Sequence, residues 1–128
     1  MEIGIGRDVD LPYEVALARV EDALKKEGFG VLTRIDVKAT MKEKLGVDFT
    51  PFVILGACNP PLAHRALETE PEIGLMLPCN VVVRAVPGGK TRVEAVNATA
   101  MASLFPKADL SSVAHEVGER LARVLASV

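Results

Sequence analysis

The alternation of apolar and other residues over Met1–Gly6 predicts a first strand, and Asp10 ahead of Leu11-Pro12 reads as a helix cap followed by an early proline. The helix that follows carries Leu17, Val20, Ala23 and Leu24 at three- to four-residue spacing. Lys25 and Lys26 suit its negative end, and Gly28 sits where a left-handed stop belongs. From Phe29 the period changes to two. Val31, Thr33, Ile35 and Val37 fall on one face and Arg34 and Asp36 on the other, which predicts a half-buried strand. A short helix over Lys38–Leu45 ends at Gly46. The run Pro51-Phe52-Val53-Ile54-Leu55-Gly56 is apolar at every position, as expected of a central strand covered on both faces or meeting a second subunit.

Beyond that run, Asn59 caps a helix opened by Pro60 and Pro61 and running to about Glu70, where Pro71 breaks it. Ile73–Leu77 supplies another turn, and Pro78-Cys79-Asn80 leads into a strand over Val81–Val86. The turn signal Pro87-Gly88-Gly89-Lys90 returns the chain through Thr91–Val96 as a hairpin. A last helix starts near Asp109–Ser112 and aligns Val113, Val117, Leu121, Val124 and Val128 on one stripe. The order βαβαβαββα predicts a single α+β domain over residues 1–128. It has two layers, with about five strands in a mixed or antiparallel sheet and about four helices. The strand order is not readable from the pattern.

Composition narrows the function classes. The 128 residues are 49% hydrophobic and 25% charged, which excludes disorder. A formal charge of −2 offers no global positive field for a nucleic-acid backbone, so no nucleic-acid partner is expected. The N-terminus lacks the basic-then-apolar pattern of a secretory signal and no run approaches the ~20 residues of a membrane span, so a cytoplasmic protein without membrane contact is expected. The chain has no Gln, no Trp and three Asn, a scarcity of thermolabile amides that fits a heat-adapted source.

Two cysteines and two histidines are the soft ligands available. In a reducing compartment Cys58 and Cys79 are expected to be free thiols. Each lies in a Cys-Asn dipeptide flanked by proline, one leaving a strand and one entering one. The break at Pro71 lets the chain return, so both turns are expected at the same sheet edge. Cys58 ahead of a helix N-terminus is a candidate nucleophile, with Cys79 as its resolving thiol. Alternatively, helix N–H groups and the amides of Asn59 and Asn80 hold a small anion, aided by Lys38 and Lys42 if these reach the same edge. A third reading makes each cysteine a small buried hydrophobe and each asparagine a turn cap. His64 is expected in solvent, paired with Glu68. It is a weak third ligand beside Cys58 and Cys79, because no short Cys-x-x-Cys or His-x-x-x-His chelate is present. His115 is expected to be exposed.

The segments Phe29-x-Val31-Leu32-Thr33-x-Ile35-Asp36-Val37, Lys42-x-Lys44-Leu45-Gly46, Ile54-Leu55-Gly56-Ala57-Cys58-Asn59-Pro60 and Ile73-Gly74-Leu75-x-Leu77-Pro78-Cys79-Asn80-Val81 resemble the prokaryotic family catalogued as domain of unknown function 302. The resemblance covers nearly the whole chain. It implies a compact α+β domain that forms a homodimer, and it implies no reaction, substrate or cofactor. The leading expectation is therefore a homodimeric domain binding a small, anionic ligand at the two Cys-Asn turns. A thiol-redox or metal protein and a purely structural dimer are the alternatives.

Overall fold

In the computed structural model, which describes residues 2–128, five strands form one sheet. They are β1 (Gly4–Val9), β2 (Gly30–Asp36), β3 (Phe52–Cys58), β4 (Cys79–Val86) and β5 (Lys90–Val96). Their order is β1-β5-β4-β3-β2, and every neighbouring pair is antiparallel. The helices are α1 (Tyr13–Lys26), α2 (Val37–Leu45), α3 (Pro60–Thr69), α4 (Ala98–Ala102) and α5 (Ser111–Ala126), with a 3₁₀ segment at Pro71–Met76. Met1, which the alternation assigned to the first strand, lies outside the described residues.

The register explains where the core sits. Val53, Val83 and Val93 face one another across three strands, as do Leu55, Val81 and Ala95, and all six are buried. Leu17, Val20 and Leu24 of α1 and Val117, Leu121 and Val124 of α5 join the same core cluster, which is the two-layer arrangement expected of stripes at helical spacing. The alternate rows, Ile35-Ile54-Val82-Glu94 and Phe52-Arg84-Arg92-Asp8, point to the other face, where none of these side chains is fully buried.

Several expectations need correction. Asp10 does not cap α1: Pro12 itself takes the cap position in an extended conformation, with no side-chain cap bond. The loop is held instead by the buried Thr91 hydroxyl, which donates to Leu11 O at 2.8 Å. The alternation Val31-Thr33-Ile35 does not lie on one face. A bulge between Val31 and Thr33 puts Val31 opposite Ala57 on the covered face and Ile35 opposite Ile54 on the open one. Nor is β2 half-buried, because it is an edge strand with most of its residues exposed. β3 is an interior strand, but only Val53, Leu55 and Ala57 alternate onto the helix-covered face. Helix α4 was not anticipated. Its five residues are capped by the Asn97 side chain, which accepts from Ala100 N at 3.2 Å.

Candidate functional site

β3 and β4 bring the two Cys-Asn dipeptides to one end of the sheet. Cys79 stands directly opposite Ala57, and Cys58 is the next residue. The intervening chain makes the return through α3 and the 3₁₀ segment. Glu70 ends α3 with an extended backbone, and its carboxylate accepts from Glu72 N at 3.1 Å, turning the chain at Pro71. Gly56 is required by this closure. A Cβ there would collide with Thr33 Oγ1 and would stand 2.7 Å from Pro78 Cγ, so a side chain has no room.

Around this end lies a cavity of about 340 Å³. Its floor is Ala57, Cys58 and Cys79. Leu62 and Ala66 of α3, Ile73 and Leu77 of the returning segment, Met101 of α4, and Leu110 and Val117 enclose it. Among the described residues the lining includes no charged side chain, and Asn59, Cys58 and Cys79 supply its polar side-chain atoms. The Asn97 cap is the signal that would have revealed α4, and with it Met101, as part of this wall.

The asparagines stand on different faces. Asn59 is buried and lines the cavity, whereas Asn80 is exposed and sits opposite Gly56 on the open face of the sheet. The start of α3 also offers no free donors for an anion. Pro60 and Pro61 have no N–H, Leu62 N donates to Asn59 Oδ1 at 3.3 Å, and Ala63 N donates to Asn59 O at 2.9 Å. The lysines are elsewhere: Cys58 pairs with Gly30, while Lys38 follows the far end of β2, about 20 Å away at strand rise. Lys38 Nζ donates to Phe49 O at 2.9 Å and Lys42 pairs with Asp48 at 3.3 Å. The anion-binding edge expected from the sequence is therefore not assembled.

His64 projects to solvent and pairs with Glu68 at 2.7 Å, and His115 pairs in the same way with Glu119 at 2.9 Å. Among the described residues no three His, Cys, Asp or Glu side chains come together as a metal-holding group. Both cysteines are free thiols, Cys58 half-buried and Cys79 buried. Burial, and secondarily the neighbouring Cys58, pushes the Cys79 thiol up to about 11. A thiol so strongly protonated at neutral pH is a poor nucleophile and packs as a small apolar side chain.

One antiparallel sheet with a single helix-covered face and an apolar cavity at its Cys-Asn end defines a small α+β sandwich. The chain belongs to the family described as domain of unknown function DUF302, whose model matches residues 5–128. It is similar to a solved structure titled as an uncharacterized conserved protein DUF302 from Bacillus stearothermophilus. The two share 35% identity and a TM-score of 0.89, with 99% of this chain and 98% of that chain covered. No curated protein matches the chain. Among the described residues no helix is long and apolar enough to cross a membrane.

Proposed function

We propose that the domain binds a small, largely apolar molecule in the cavity at the Cys-Asn end of the sheet. The carrying observation is the cavity itself: about 340 Å³, apolar-walled and bordered by Cys58, Asn59 and Cys79. At the ~30 Å³ that one water occupies in the liquid, this volume holds roughly eleven non-hydrogen atoms. The uncharged lining favours an apolar body over the anion suggested by the sequence. Ala66 tests the reading, because it is buried on α3 and lines the cavity. Ala66→Leu adds three carbons worth about 2 kcal/mol of burial if they enter empty space. Chemical denaturation should show a gain of about 1–2 kcal/mol, while medium-chain alcohols that shift cavity amides of the wild type in ¹⁵N spectra should lose this effect. A loss of stability would mean that the space is already packed, and unshifted wild-type spectra would mean that nothing enters it.

A second reading, self-association, is favoured by the segment from Leu32 to Phe49. Leu32, Ile35, Leu45, Val47 and Phe49 are each 40–69% exposed, and α2 buries no side chain. A nine-residue helix is marginal without packing. Ile54 and Val82, half-buried on the open face, stand in one row with Ile35 and extend this set. Beside them, Arg84 and Arg92 pair with Glu94 and Asp8 within the chain, so this face carries little unpaired charge to repel a second copy. Sedimentation equilibrium at micromolar concentration should give twice the chain mass, and a monomer throughout the range would refute the reading.

A further inference from the structure

We infer that the cavity's occupant is an unbranched alkyl chain with a polar end group, lying across the strand ends with its tail beside Met101 and its polar end at Leu32 and Leu67. This rests on the small-molecule reading above and gives the ligand a shape and a direction. The lining follows the order of the strands: Leu32 belongs to β2, Ala57 and Cys58 to β3, and Cys79 to β4, while Ala98 and Met101 follow β5. The chamber therefore crosses the ends of neighbouring strands from β2 to β5, about 14 Å at the usual strand spacing. Spread over that length, about 340 Å³ leaves a mean section of about 24 Å², which takes one file of carbons at ~4 Å contact distance and not two side by side.

The two ends of the chamber differ. Leu32 is 66% exposed and Leu67 39%, and among the described residues they are the only exposed members of the lining, whereas Met101 is 5% exposed. Solvent therefore meets the chamber on the β2 side, and the α4 end is closed. Ala98, Met101 and Ala102 at the closed end carry no side-chain nitrogen or oxygen. A polar group carried there would lose its hydration without gaining a side-chain partner, while the same group left at Leu32 and Leu67 stays in water. Tail-first entry avoids that loss and still buries the chain.

The test uses the whole wild-type chain, so no variant has to fold, and reads methyl and amide NMR spectra during titration with primary alkanols from hexanol to dodecanol. Affinity should rise about fourfold per methylene. The rise should level off near decanol, where roughly eleven non-hydrogen atoms fill the chamber. Adamantanol, with as many carbons as decanol in a compact cage, should bind about tenfold more weakly or worse once each affinity is divided by the alcohol's octanol partition coefficient. Bound decanol should show nuclear Overhauser contacts from its terminal methyl to Met101 and from its carbinol protons to Leu32 or Leu67. Reversed contacts, an undiminished rise through dodecanol, or adamantanol bound as well as decanol on that scale would overturn this inference while leaving the cavity reading intact. Binding of none of the alcohols would overturn both.

Discussion

Cys79 gives the sharpest quantitative prediction. Its side chain is buried among Ala57, Val81 and their neighbours, and the thiol is pushed from its ordinary 9.0 up to about 11 because the thiolate would lose its hydration. A proton held more tightly in the folded chain than in the unfolded one stabilises the fold. That contribution is complete below pH 9 and is lost as pH rises through about 11. A difference of two units at 1.36 kcal/mol each amounts to about 2–3 kcal/mol. Other groups titrate in the same range, including Tyr13, whose phenol is raised by burial and by nearby Asp36. The useful quantity is therefore the stability of wild type minus that of Cys79→Ala, measured by guanidinium unfolding at successive pH values. The difference should shrink by about 2 kcal/mol between pH 9 and 11. At neutral pH, Cys79 should also alkylate about a hundredfold more slowly than an unperturbed thiol, before any allowance for access. A pH-independent difference, or rapid labelling of Cys79 in the folded chain, would refute the account of Cys79 as an inert wall residue and reopen thiol chemistry.

Two further substitutions probe the supports of the site and the open face. Gly28→Ala places a side chain at φ +84° and a Cβ 2.9 Å from Asn59 Nδ2, so it should cost about 2–3 kcal/mol in chemical denaturation; a loss below about half a kcal/mol would show that this contact is slack. Ile35→Asp puts a charge in the Ile35-Ile54-Val82 row on the open face of an edge strand, so it should leave the fold intact while yielding a monomer in sedimentation equilibrium. Retained dimerisation would move the interface elsewhere.

Much of the architecture was legible because local chemistry and tertiary packing agree. The Gly46 stop, the Asn59 cap with its two prolines, the break at Pro71 and the Gly88-Gly89 turn are each fixed by backbone constraints that act within a few residues. The errors arose where a distant partner decides. The bulge at Leu32 is a property of how β2 meets β3, and it moved Ile35 to the opposite face from Val31 without altering the composition of the strand. Strand order depends on β5 pairing with β1 across some 80 residues, which no local pattern records.

The two Cys-Asn dipeptides show the same division inside the site. Their convergence follows from Pro71 forcing a return, and the antiparallel β3–β4 pair brings Cys58 and Cys79 within one position of facing each other. What each asparagine does follows instead from pleat and cap geometry. Asn59, one residue past β3, turns its oxygen to Leu62 N and lines the cavity; Asn80, one residue into β4, is carried to the far face. Identical dipeptides thus acquire unlike roles because one ends a strand at a helix cap and the other begins a strand. The prolines that made the first turn conspicuous also strip the helix start of the N–H groups an anion would need. The features that drew attention to an anion site therefore lack, once placed in space, the donors that such a site would need.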